Sequence, residues 1–323
     1  MAHLEPFQFK PKAKLSIEAN PASADRAKIR RMRRLGFNRI SFGVESADQK
    51  VLRSIGRGYQ DLRHVADCVA WSYEAGFQEV NVDLVLGLAC DSVESFLGSF
   101  RACLELRPTT IAVCLLTPTD RYLRATGESR QDCAQRLESW LPRVMAAVRE
   151  LSSSSGYGAA GVRPELEMWT ITAPHAPPPP AGADLQRPLS VLGVGHGARS
   201  HIFSQALYQR TGAAFGGGDS YQLSRLSLKE EMARYMLEIF GDGGVVGREA
   251  FQRVFGRDLA EAFAVELGIL EAMGKIRWEA AGLRLLPARV CERVFCAAFL
   301  LLDTLASSPF AKGRLGRRCG SAA

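Results

Sequence analysis

Between Gly36 and Thr117 the chain repeats one pattern: a short apolar, β-branched run that ends on Gly, Ser or Pro, then a helix-length segment. The runs are Arg39-Ile40-Ser41-Phe42-Gly43-Val44, Glu79-Val80-Asn81-Val82-Asp83-Leu84-Val85-Leu86 and Ile111-Ala112-Val113-Cys114-Leu115-Leu116. Parallel strands need a long crossover, and a helix supplies it, so the alternation predicts βαβ units and a parallel sheet. In such sheets the polar residues at the carboxyl ends of strands are the usual ligand-binding positions.

The flanking segments extend the pattern. Leu15 to Ala19 predicts a further strand, stopped by Asn20-Pro21, because proline disfavours helical geometry in the residue before it. Ser23 is the expected N-cap of a helix with Ile29, Met32 and Leu35 on its apolar face, closed by Gly36. Helices are expected through Val51 to Ile55, Leu62 to Glu74 and Val93 to Leu106, the last broken by Arg107-Pro108. Pro142 suits a first helical turn or a kink in Trp140–Leu151.

Residues 152–190 read as a flexible Ser/Pro-rich excursion, with Pro177 to Pro180 at its end and one candidate strand, Leu166 to Ile171, inside it. A Gly-rich run follows at 191–200, and 209–220 reads as a Gly-rich linker. Beyond it, Leu228 to Phe240, Phe251 to Phe255 and Leu259 to Met273 carry apolar residues at helical spacing. Lys275 to Trp278 and Leu283 to Leu286 predict a small β-wing, and Val290 to Leu305 a last helix. The expected organisation is therefore an α/β domain over 1–208, the linker, a small mostly helical, winged-helix-like domain over 221–305, and a basic tail over 306–323.

Composition narrows the function classes. Hydrophobic residues make 47% of the 323, and charged residues 23%, as in ordinary globular proteins. No run reaches the ~18 apolar residues of a membrane span, and Met1 to Pro6 shows no charged-then-apolar signal, so a cytoplasmic protein is expected. The net charge of +7 resides largely in Arg26 to Arg34 and after Lys312. It reads as a solvated helix face and a tail, because no nucleic-acid reader motif or aromatic interleaving accompanies it. The eight cysteines form no CxxC and no clustered triplet, which predicts small core hydrophobes and no metal site.

Glu18, Glu45 and Asp83 lie at or beyond strand ends. Strand parity places Asn81 on the face of Asp83, and Ser16 on the face of Glu18. Buried carboxylates are costly unless paired or hydrogen-bonded, so several at one sheet edge suit a ligand; capping a loop or pairing with an arginine is the bland alternative. Arg57, between Gly56 and Gly58, is a charged fork suited to a carboxylate, or a solvated loop arginine. The glycines of 193–197 form only a weak GxGxG, and His64, His175, His196 and His201 lack metal-ligand spacing.

Four motifs in order resemble one family: Ile17-Glu18-Ala19-Asn20-Pro21; Gly36-Phe37-Asn38-Arg39-Ile40-Ser41-Phe42-Gly43-Val44-Glu45-Ser46; Ile55-Gly56-Arg57; and Asn81-Val82-Asp83-Leu84-Val85-Leu86-Gly87-Leu88. Leu116-Thr117-Pro118, Leu192 to Ala198 and Leu226-Ser227-Leu228 match further landmarks. The family is the radical S-adenosylmethionine group of oxygen-independent coproporphyrinogen III oxidase and its relative, the heme chaperone.

The resemblance implies an incomplete radical-SAM-type (β/α) partial barrel, with S-adenosylmethionine held by Glu18, Arg57 and Asp83. Glu45 stands where the family normally has Gln, and Ala89 where it has Pro. In the family a CxxxCxxC ligates a 4Fe–4S cluster, whose electron cleaves the cofactor to a 5′-deoxyadenosyl radical. That motif, and a Gly-Gly-Gly-Thr-Pro motif, fall upstream of everything matched here, which makes an upstream-encoded N-terminal segment an expected partner. The expected roles are an enzyme part, a cluster-free module binding heme, a porphyrin or S-adenosylmethionine, or a remnant without activity. The expected small-molecule partner is a tetrapyrrole.

Overall fold

The computed structural model describes residues 13–163, 168–177, 190–193, 198–210, 221–241 and 245–286. Contacts divide the chain into two compact units, Met1–Val162 with Leu166–Ala181 and Arg163–Glu165 with Gly182–Ala323.

In the first unit each predicted strand forms: β1 (Ser16–Ala19), β2 (Arg39–Glu45), β3 (Glu79–Leu86) and β4 (Thr110–Leu115). They pair in parallel in the order β1-β2-β3-β4. The sheet continues into β6 (Met168–Thr172), antiparallel to β4, and β5 (Gly158–Arg163) beyond it. Helices α1 (Arg26–Arg34), α2 (Gln49–Ser54), α3 (Leu62–Ala75) and α4 (Val93–Glu105) make the crossovers, and α5 (Asp120–Thr126) and α6 (Arg130–Ser154) follow β4.

Alternation along the strands decides which face is covered. Ile40, Phe42 and Val44 of β2, Val80, Val82, Leu84 and Leu86 of β3, and Ile111 and Val113 of β4 are buried in one core. Ile29, Val65, Val69, Phe96, Phe100, Val144 and Val148 from the helices belong to the same core. Burying a side chain of this size contributes about 1.5–3 kcal/mol, so this face fixes the sheet against its helices. The opposite face carries the intervening residues and is mostly polar.

Three local expectations differ from the structure. Asp25 rather than Ser23 caps α1, accepting from Lys28 N at 2.8 Å, while Ser23 lies in a short 3-10 turn, Pro21–Ser23. Pro142 does not sit in a first helical turn: it lies inside the 25-residue α6. Its exposed position leaves the missing backbone hydrogen bond on the solvent side, while Val144 and Val148 anchor the helix in the core. The helix α5 was not anticipated; it is closed by Gly127 at φ 72°.

The second unit contains two antiparallel sheets. One is β7 (Arg199–Ile202), β8 (Ala206–Arg210) and β9 (Tyr221–Arg225), a pairing the Gly-rich reading of 191–200 did not anticipate. The other joins β10 (Val245–Val246), β12 (Gly282–Leu285) and β11 (Ile276–Glu279) in that order. Helices α7 (Leu228–Gly241), α8 (Arg248–Phe255), α9 (Leu259–Ala262) and α10 (Ala264–Ala272) form where apolar spacing predicts, with a break at Phe263. The expected wing is the β11–β12 hairpin. Met236, Phe240, Phe251, Phe263, Leu267 and Leu283 lie in its core. Glu231, 2% exposed, accepts from His201 Nε2 at 3.0 Å and from Ser204 N at 3.1 Å, which ties α7 to the β7–β8 hairpin.

The motif residues 194–197, most of the 209–220 segment, the helix expected at Val290 to Leu305 and the tail 306–323 lie outside the described residues. Among the described residues, no helix is long and apolar enough to cross a membrane.

Candidate functional site

Register assembles the site. Glu18 pairs with Ser41, Ser41 with Asn81, Asn81 with Thr110 and Thr110 with Thr172, so one polar row crosses five strands. Two residues further along lie Gly43, Asp83, Ala112 and Thr170, on the same face. A β-bulge between Gly43 and Glu45 shifts the register at the end of β2, and Glu45 takes a left-handed φ of 64°. Three carboxylates from β1, β2 and β3 thus share one face.

Asp83 is the most firmly held. Its Oδ2 accepts from Ser41 Oγ at 2.8 Å and its Oδ1 from Asn81 Nδ2 at 2.7 Å. Asn81 Nδ2 also reaches Ser41 Oγ at 2.8 Å, and Thr110 Oγ1 donates to Asn81 Oδ1 at 2.6 Å. Ser41 and Asn81 are each 1% exposed. Burial nevertheless raises the Asp83 carboxyl above the usual range, with Ser41, Asn81 and Arg39 opposing the rise.

Glu45 and Arg57 are partners. Arg57 Nη2 lies 3.0 Å from Glu45 Oε1, and Arg57 Nη1 donates to Gly43 O at 3.0 Å. The pair lies over Gly43, where a Cβ would stand 2.7 Å from Glu45 Oε1. Burial raises the Glu45 carboxyl, Arg57 opposes the rise, and the Asp83 charge adds to it. The loop that carries Arg57 is held by its own contacts: Arg57 N donates to Leu52 O, Gln60 N to Arg57 O, and Gln60 Nε2 to Val44 O.

Glu18 stands at the open end of the row, its side chain 74% exposed, 3.5 Å from Arg39 Nη1. The surrounding protein atoms, then the Asp83 charge, raise its carboxyl. Cys114, the β4 residue on this face, has its thiol pushed up to about 12 by burial and by Asp83, Glu45 and Glu18.

The structure brings Glu18, Glu45, Arg57 and Asp83 to one face. Ser41, Asn81 and Thr110, which orient Asp83, were visible only as the polar positions of alternating strands. Among the described residues the other cysteines offer no cluster: Cys68, Cys103 and Cys133 are buried and Cys90 is exposed. Among the described residues no group of three His, Cys, Asp or Glu could hold a metal ion. His64 bridges Pro21 O at 3.0 Å and Ala24 O at 3.1 Å, a structural role.

The loop after β3 is pinned separately. Glu128 receives Arg136 at 2.5 and 2.7 Å, Arg136 Nε donates to Gly87 O at 3.1 Å, and Ala89 N donates to Tyr122 Oη at 2.7 Å. Helices α5 and α6 therefore set the path of Gly87 to Ala89 at the carboxyl end of β3.

Residues 1–103 match the Radical SAM superfamily. The oxygen-independent coproporphyrinogen III oxidase of Synechocystis sp. is 36% identical over 107 residues, 33% of this chain and 23% of that protein. The Escherichia coli protein of the same name is 34% identical over 109 residues, 34% of this chain and 24% of that protein. Heme chaperone HemW of Escherichia coli is 34% identical over 107 residues, 32% of this chain and 28% of that protein. These matches span 23–28% of the length of those three relatives. A solved structure, described as coproporphyrinogen III oxidase (HemN) from Escherichia coli, a Radical SAM enzyme, superposes with a TM-score of 0.69 at 22% identity. It covers 91% of this chain and 71% of its own, and shares the fold.

Proposed function

We propose that, in a chain whose residues 1–103 match the Radical SAM superfamily, the polar face of β1 to β4 is an S-adenosylmethionine cradle in a cytoplasmic protein of porphyrin or heme metabolism. The observation that carries this reading is the fixation of Asp83 by Ser41 and Asn81, beside Glu18 and the Glu45–Arg57 pair. A carboxylate oriented by two donors keeps acceptor capacity for ribose hydroxyls, and Glu18 can accept from a ligand ammonium. Glu18, Arg57 and Asp83 would hold S-adenosylmethionine, which would supply hydrogen-abstraction chemistry where a 4Fe–4S cluster serves it.

Among the described residues no three His, Cys, Asp or Glu side chains converge as ligands for such a cluster. Binding of S-adenosylmethionine is the activity proposed for these residues. The tetrapyrrole link rests on the names of the relatives, which act on coproporphyrinogen or carry heme. The occupied Arg57 favours a second reading, a cluster-free module that binds heme or a porphyrin with little use of S-adenosylmethionine.

Calorimetry on the full chain tests the first reading. S-adenosylmethionine should bind in the high-micromolar range or weaker, since loss of one or two charge-assisted contacts costs roughly 1.5–3 kcal/mol each. Asp83→Ala should abolish it. Low-micromolar binding that is indifferent to Asp83→Ala and Arg57→Ala would remove the cradle assignment. A Soret shift on adding heme or coproporphyrin, unaffected by Asp83→Ala, would favour the second reading.

A further inference from the structure

The cradle face is unevenly charged. Glu18, Glu45, Asp83 and Glu79 stand on it against Arg39, Arg57 and Lys14, whose Nζ lies 2.5 Å from Glu79 Oε2. Arg39 is already shared between Glu18 at 3.5 Å and Glu79 at 3.9 Å, and donates to Ser16 Oγ at 2.7 Å. Arg57 is shared between Glu45 and Gly43 O, both at 3.0 Å. Each guanidinium that could receive a ligand's carboxylate is thus engaged by the chain's own oxygens, and the carboxylates remain in excess.

From this geometry, and resting on the cradle reading above, we infer that Glu45 is a built-in competitor for Arg57 that makes the cradle select carboxylate-free, cationic nucleoside ligands over those that carry an amino-acid carboxylate. Three features make the competitor effective. Glu45 and Arg57 are only 18% and 28% exposed, so their attraction is less screened than a surface pair's. The bulge and the left-handed backbone at Glu45 aim its carboxylate at the arginine without any ordering step on binding. Gly43 leaves the space the pair occupies, since a side chain there would meet Glu45 Oε1 at 2.7 Å.

A ligand carboxylate must displace Glu45 from Arg57 and strand it near Asp83, whose charge already raises the Glu45 carboxyl. A ligand with an amine or sulfonium and no carboxylate meets the surplus negative charge with nothing to displace. Specificity of this kind comes from a repulsive element as much as from an attractive one. Glutamine at position 45 keeps the size and an acceptor for Arg57 but removes the charge that competes.

The test is calorimetry with two probes, S-adenosylmethionine and its decarboxylated analogue, on the full chain and on Glu45→Gln, with melting temperatures confirming that each variant folds. The unmodified chain should bind the decarboxylated probe at least about tenfold more tightly. Glu45→Gln should tighten S-adenosylmethionine about tenfold and leave the decarboxylated probe unchanged or weaker. Arg57→Gln, which removes the contested fork, should not gain affinity for S-adenosylmethionine. Equal binding of both probes to the unmodified chain, unchanged in Glu45→Gln, overturns the competitor role while leaving the cradle standing. No binding of either probe to either protein overturns the cradle and the competitor together.

Discussion

Ser41 Oγ donates to Asp83 Oδ2 at 2.8 Å across the β2–β3 boundary, and that bond turns two strand residues into one binding element. Ser41 is 1% exposed and also accepts from Asn81 Nδ2, so its hydroxyl is used in both directions. Ser41→Ala should leave Asn81 and Asp83 each short of a partner. The expected cost is roughly 1–3 kcal/mol in urea unfolding, together with loss of S-adenosylmethionine binding. Full stability with weakened binding would mean that Ser41 serves the ligand and not the sheet.

The pH dependence of stability should bear the mark of Asp83. Burial raises its folded-state pKa above the ordinary 3.8, so the folded chain holds that proton more tightly than the unfolded chain. Its contribution is full below the ordinary pKa and is lost as pH rises through the raised value. Asp83→Asn should therefore melt higher than the unmodified chain at pH 7, with the two converging near pH 3. Parallel melting curves at both pH values would contradict this.

Glu128 should behave in the opposite sense. Hydrogen bonds from Arg136 hold its carboxyl below the ordinary 4.5. The stabilisation is present above that value and is lost as pH falls through the lowered one. Arg136→Ala should cost about 1.5–3 kcal/mol at pH 7, and less in acid. Amide exchange at Gly87 to Ala89 should quicken, because Arg136 Nε no longer reaches Gly87 O.

Gly282, at the turn of the β11–β12 hairpin, has φ 140°, and a Cβ there would lie 2.1 Å from Val246 O. Gly282→Ala should disrupt the β10–β12 pairing at a cost of about 3 kcal/mol or more. Hydrogen exchange should show the loss of protection in the second unit, while β1 to β4 stay protected. Protection lost equally in both units would show that they unfold together.

Iron and sulfide reconstitution should leave the chain without a 4Fe–4S chromophore. The eight cysteines contain no CxxxCxxC, and Cys103 and Cys68, with thiols pushed up to about 12 and about 11 by burial, resist the deprotonation that ligation needs. Stoichiometric cluster absorbance, lost on substituting particular cysteines, would identify ligands that spacing does not reveal.

Much of the first unit could be read directly. Apolar residues at alternate positions of 39–45, 79–86 and 110–115 mark the strands, and Gly36 and Gly76, with φ of 98° and 88°, close the helices before them. The same alternation contained Ser41, Thr110 and Cys114, yet within one strand nothing distinguishes a ligand-orienting hydroxyl from a solvated one. Pro142 pointed to a first helical turn that the structure does not have, because α6 starts earlier, at Arg130, and its exposed side tolerates the missing bond. The strands β7 to β9 were missed although their pairing is local, Ile202 facing Ala206 across a short turn, because Gly-rich surroundings obscured short strands.

What the sequence determined by itself was which residues could share a face: strand geometry repeats every two residues, so Asn81 and Asp83, or Ser16 and Glu18, are bound together by local stereochemistry. What only the tertiary structure decided was the register that lines up Glu18, Ser41, Asn81 and Thr110, and the bulge that turns Glu45 onto Arg57. Register and bulge are set by hydrogen bonds and core packing between strands 20 to 40 residues apart, and no local pattern encodes which partner a free charge will meet.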